Sequence, residues 1–311
     1  MNVPERRGLW LGFLGVAIFA LTLPMTRLAV GTPQAPLMSG VFVALGRAAV
    51  ASALSAVFLL ATRAPLPRRG DWIPLAITAA GVVFGFPLFT SVAMRYVEAV
   101  HASVIVGVLP LATALVGALL HRQRPSTGFW VCAFLGSALV VAFALLHGGG
   151  EGVRLHLADA LLLAGMACAA IGYAYGARLS QRMRAEHVIC WALVLSWPIT
   201  LPASCWLRPT VVLPASAWWA FGYVALFSMW IGFFAWYRGL ALGGTVRVSQ
   251  VQLVQPFLSM LFAVPLLGER LDAVTLGFAV VVIATVFVGR RMPVRAAAHP
   301  ASPLSPALEP R

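Results

Sequence analysis

The sequence predicts an all-α polytopic membrane protein: about ten transmembrane helices, arranged as two inverted five-helix repeats around a central cavity. Three observations predict this. The 311 residues are 61% hydrophobic and only 10% charged, with a mean hydropathy of +0.91, whereas a soluble domain carries about 25% charged residues to cover its surface. The apolar residues come in runs of about 20, the length that crosses a hydrocarbon core as a helix; a barrel strand would alternate over about 10. Finally, the pattern of the first half recurs in the second.

In order, the runs are 8–30, 37–61, 72–96, 100–120, 127–147, 157–179, 187–207, 216–239, 246–267 and 272–290, each bounded by charge, Pro or Gly. The first follows Arg6 and Arg7, as in a signal peptide, but it is long and no Ala-x-Ala site follows. It is read as an uncleaved span. The second carries Arg47 about ten residues in, near the midplane, where charge costs roughly 2.5–3.5 kcal/mol and faces a cavity or a partner. The third leads through Arg95 into Glu98 and His101. The fourth is broken by Pro110 and ends in the turn His121-Arg122-Gln123-Arg124, and the fifth follows.

The second half repeats this order. Gln250-Val251-Gln252-Leu253-Val254-Gln255-Pro256 corresponds to Val104-Ile105-Val106-Gly107-Val108-Leu109-Pro110. Each Pro follows a short polar break, Glu98–His101 or Gly243–Thr245, and precedes a polar turn and a further apolar helix. The copies meet at Gly148–Gly152. This predicts repeats at 1–150 and 151–292 and a disordered cytoplasmic tail at 293–311, rich in Pro, Ala and Ser. Five spans is an odd number, so the second copy is inverted. Such repeats build many secondary transporters, with the substrate site at their interface.

Net charge is +13, and every basic residue is Arg. The arginines do not form a stripe with interleaved aromatics, which argues against nucleic acid. They mark alternate loops instead: Arg6 and Arg7; Arg63, Arg68 and Arg69; Arg122 and Arg124; Arg178, Arg182 and Arg184; Arg238 and Arg247; then Arg290, Arg291, Arg295 and Arg311. These loops are predicted to be cytoplasmic, with both termini inside and the protein in the inner membrane. The four cysteines lie within apolar spans without Cys-x-x-Cys spacing and read as packing residues. No metal or cofactor site is predicted.

These features resemble the drug/metabolite transporter superfamily, EamA type. The residues that carry the resemblance are Phe19–Val30 with its basic Arg27, Leu45-Gly46-Arg47-Ala48-Ala49, the helix centred on Pro110, and Leu267-Gly268-Glu269-Arg270-Leu271. It covers about residues 8–290. Two positions depart from the family pattern: the turn after the fourth span lacks the usual Glu, and Ala follows Arg47. The resemblance implies ten helices in inverted repeats and transport of small metabolites, often amino acids, by alternating access, with export favoured over uptake. It does not fix the substrate.

Candidate substrate contacts are Arg47, Thr26, Tyr175, Trp236, Gln252 and Gln255. Arg47 would meet a carboxylate or tie neighbouring backbone carbonyls. Gln252 and Gln255 share a helix face and would line a cavity or join helices. Tyr173, Tyr175, Trp236 and Tyr237 have polar tips suited to a pocket. Trp236 and Tyr237 lie close to a cytoplasmic end, which favours an interfacial belt; Trp218 and Trp219 read as belt residues. Pro110 and Pro256 free carbonyls and soften their helices, as hinges or fixed kinks. Glu98 and His101 form the best titratable cluster with Arg95, either carrying a coupling proton or making a hydrated outer ion pair. Glu269 with Arg270 and Asp272 reads as a capped turn. The pairs Gly8/Gly12, Gly81/Gly85 and Gly172/Gly176 suit close packing inside the bundle, or a homodimer.

The expected partners are a small-molecule substrate, the lipid bilayer and a proton. No Walker motif, HExxH, Gly-x-Ser-x-Gly or mid-span carboxylate pair is present, so nothing points to nucleotide-driven transport or intramembrane catalysis. The rival reading is a non-transporting membrane scaffold or sensor, although the loops are too short to hold a partner domain.

Overall fold

In lipid each backbone N–H and C=O must be satisfied within its own segment, so long apolar runs become helices. The computed structural model describes residues 3–120, 124–147, 157–243, 248–291 and 294–295. Its helices are α1 (Val3–Val30), α2 (Gly40–Ala61), α3 (Arg69–Ala93), α4 (Ala99–Leu120), α5 (Thr127–His147), α6 (Leu157–Leu179), α7 (Ala185–Trp206), α8 (Ala215–Gly243), α9 (Gln255–Leu267) and α10 (Ala273–Arg291). Seven of them, α1–α4 and α6–α8, are long and apolar enough to cross a membrane. The chain is a multi-pass membrane protein. A short pairing of β1 (Arg124–Pro125) with β2 (Val294–Arg295) is the only sheet among the described residues. The Gly148–Gly152 linker, the turn residues His121–Gln123, the break Gly244–Arg247 and residues 296–311 of the tail lie outside the described residues.

Several helices are interrupted. α1 breaks at Leu21, three residues before Pro24, whose missing N–H leaves the Ala20 carbonyl without its helical donor; the Ser259 hydroxyl on α9 donates to that oxygen at 2.7 Å. α3 and α8 each contain a π-helical stretch, Ala79–Gly85 and Val224–Ile231. α4 breaks at Gly107 and Val108, just before Pro110, and α9 is preceded by a 3₁₀ turn at Ser249–Val254, just before Pro256. The two breaks are neighbours: a Cβ added at Gly107 would stand 3.7 Å from Cγ of Pro256.

α1 packs along α8, α3 along α6, and α2 along α7; α4 meets α9, α5 meets α10, and both α4–α6 and α9–α1 are in contact. Small residues permit the closest approaches. A Cβ on Gly8 would lie 2.5 Å from the Gly243 nitrogen, and one on Gly81 would lie 2.9 Å from the Gly172 nitrogen. Gly8, Gly12, Gly81 and Gly172 are therefore occupied by packing within the chain. Trp236 and Tyr237 are fully buried, not at an interface as their sequence position suggested. Phe19 and Tyr173 pack against Trp236, and Phe233 packs against both of them. Trp219 is 81% exposed.

Candidate functional site

The interruptions of α1, α3 and α8 and the turn before α9, but not that of α4, border one cavity inside the bundle. It is lined from the first half by Phe19, Thr22, Arg47, Val82 and Phe86, and from the second by Tyr173, Ser228, Met229, Phe233 and Gln255. Val82, Ser228 and Met229 lie in the two π-helical stretches, and such bulges occur frequently at functional sites. The cavity is narrow, with room for about one water molecule. Thr22 and Ser228 close part of it, their hydroxyls 2.8 Å apart.

Arg47 is the only lining cation and is 1% exposed. Its Nε and Nη1 have no hydrogen-bond partner within the protein, and the same holds for Oε1 of Gln255 across the cavity. An unsatisfied buried polar group costs about 1–3 kcal/mol, more when charged. Donors of a guanidinium and an amide oxygen are thus held unpaired at one cavity that, as it stands, admits little more than a water molecule.

The other sequence candidates fall around this cavity. Gln252 and Thr26 are buried with unpartnered polar atoms, and Trp236 is buried with a free indole N–H, but none of the three lines it. Tyr175 is half-buried and also lies outside it, while Tyr173, two residues earlier, lines it. Thr22 and Ser228 escaped the sequence reading. Their signal was a small hydroxyl inside an apolar run, which is common in packed membrane helices.

A second set of contacts sits where α1 ends and α4 and α6 begin. The expected Arg95, Glu98 and His101 cluster does not form. The Arg95 guanidinium donates to the carbonyls of Val30 and Met38, and Glu98 is exposed. His101 instead pairs with Asp159 of α6, Nε2 to Oδ1 at 2.7 Å. Asp159 is fully buried, and its Oδ2 has no partner within the protein. Arg27 donates to the Met94 carbonyl at 2.6 Å.

Glu269 is not simply part of its own turn. Both carboxylate oxygens accept backbone N–H groups at the start of α4, Ala99 and Val100, each at 2.8 Å. Asp272 caps its own helix through the Thr275 N–H at 2.6 Å. Burial pushes the Glu269 carboxyl above its usual range, and the two N–H donors pull it back only in part. With a folded pKa above the unfolded one, the stability this group contributes is greatest at low pH and falls as pH rises through the folded pKa. Glu269→Gln removes that loss. Its melting temperature should vary less than wild type's across the carboxylate titration range; a parallel pH profile would contradict this.

Comparison with known proteins adds the following. The EamA-like transporter family matches residues 6–145 and 156–289. The uncharacterized transporter YdeK of Bacillus subtilis (strain 168) is 44% identical over 284 residues, spanning 90% of this chain and 96% of that protein. A solved crystal structure with 19% identity covers 91% of this chain and 96% of its own at a TM-score of 0.62, a likeness of fold alone.

Proposed function

The chain belongs to the EamA-like transporter family, and on that premise we propose that it exports small carboxylate-bearing metabolites, such as amino acids, by alternating access. The observation that carries this reading is Arg47, with two guanidinium nitrogens unpartnered, lining with Gln255 a buried cavity built from both halves. Export, rather than uptake, follows the family.

We propose ten membrane helices in two inverted repeats, 1–150 and 151–292. Exchanging α1–α5 with α6–α10 maps the packing onto itself: α1–α8 becomes α6–α3, α4–α6 becomes α9–α1, and α2–α7, α4–α9 and α5–α10 return to themselves. The π-helical stretches fall on the exchanged pair α3 and α8. Both termini are then cytoplasmic and the host membrane is the inner one. Pro110 and Pro256, at adjacent breaks, act as the hinges. Coupling is to a proton held by His101 with Asp159; exposed Glu98 plays no part.

Cells overexpressing the protein should resist at least one toxic amino-acid analogue, and liposomes holding the protein should show counterflow of that compound. If no compound that gives resistance shows counterflow, the reading fails. Asp159→Asn should lower uptake driven by a pH gradient about tenfold or more yet keep counterflow, which needs no net proton movement. Gradient-driven uptake at the wild-type rate would remove the pair from coupling.

A further inference from the structure

A groove outside the central cavity has a built character of its own. Because Gly8 and Gly12 face the Gly239–Gly243 end of α8, neighbouring side chains flank that seam at helical spacing. Arg7, Trp10, Leu11 and Leu14 form one wall, and Arg238 and Leu242 form the other. They enclose about 640 Å³. Trp10 is 65% exposed, and Leu14 and Leu242 are also exposed. From Arg7 to Leu14 the helix rises about 10 Å, about a third of a ~30 Å hydrocarbon core. The groove is thus shorter than one leaflet, apolar towards Leu14, with Arg7 at one end and Arg238 on the facing wall near the level of Leu11.

The charge at the mouth is unbalanced. Arg6, Arg7, Arg184 and Arg238 lie at this end with Glu5 and Glu186. The Arg238 Nη1 meets Glu186 at 3.0 Å, yet its side chain remains 58% exposed. Among the described residues two cations exceed the carboxylates here, and beside an apolar slot they match a phosphate ester carrying an acyl chain. Basic pockets between membrane helices bind anionic lipid headgroups by the same electrostatics. The glycines of the seam are already used within the chain, so a second copy would find no small-residue face here.

We propose that this groove is a binding site for one anionic phospholipid, with its phosphate between Arg7 and Arg238 and an acyl chain along Trp10 and Leu14. The full-length protein, delipidated in detergent, is offered phosphatidylglycerol or phosphatidylcholine with identical chains, and retained lipid is counted by native mass spectrometry. The wild type should retain one phosphatidylglycerol with about ten- to thirtyfold preference. Arg7→Gln with Arg238→Gln should bring that preference to within about twofold, and Trp10→Ala should weaken both lipids alike. Equal retention by the wild type, or an unchanged preference in the double variant, would overturn the assignment. So would displacement by soluble glycerol phosphate, which would make the mouth a free-anion site, or a second copy of the chain bound in place of lipid. Because Trp10→Ala leaves both arginines in place, a folding failure of the double variant still leaves the site testable.

Discussion

Replacing Arg47 with Gln is expected to lower transport by ten- to over a hundredfold while the protein still folds. The charge sits 1% exposed with two nitrogens unpartnered. A charge-assisted hydrogen bond to a substrate carboxylate contributes about 1.5–3 kcal/mol, which converts to that range of affinity. Removing the guanidinium also removes its insertion cost of roughly 2.5–3.5 kcal/mol, so the melting temperature should hold or rise. Arg47→Lys keeps the charge but loses the planar fork and should fall between the two. Counterflow rates and thermal melts check this together. Wild-type counterflow would withdraw the substrate contact, and loss of folding would assign Arg47 a structural role.

Gly239→Leu is expected to prevent a folded, monodisperse protein. A Cβ at Gly239 would stand 2.7 Å from the Gly12 nitrogen and 2.9 Å from the Gly8 carbonyl oxygen. These are backbone atoms that cannot rotate away, so α1 and α8 must part. Overpacking ordinarily costs about 1–3 kcal/mol, and separating two whole helices exceeds that. Gly277→Leu is the control: nothing lies within 4 Å of a Cβ there, and it should purify as wild type does. Normal size-exclusion behaviour of Gly239→Leu would show that the seam opens without loss of the fold.

Most of the helix map was legible because a bilayer sets a length and punishes charge. The run at 157–179 matches α6, and the run at 100–120 lies within one residue of α4. Arg47 and Gln255 were legible for the same reason, being polar groups inside apolar runs. What was not legible depended on which face a helix turns inward. Membrane helices are apolar all round, so Tyr173 and Tyr175 look alike in sequence, yet only Tyr173 reaches the cavity. Trp236 was misplaced because depth was judged from its own helix end, while α1 and α6 cover it from outside. The His101–Asp159 pair joins residues 58 apart across two helices, a contact that no local pattern encodes. The π-helical stretches leave no compositional mark at all.

The most direct measurement concerns access to the central cavity from both membrane faces. Cys132, Cys168, Cys190 and Cys205 are replaced by Ala, and Thr22 on the cavity wall by Cys. A membrane-impermeant thiol reagent is then applied separately to right-side-out and inverted vesicles. Alternating access predicts that Cys at this position is modified from either side, and that substrate shifts the two rates in opposite directions. Modification from one side alone, with and without substrate, would contradict transport and leave a dead-end binding cavity.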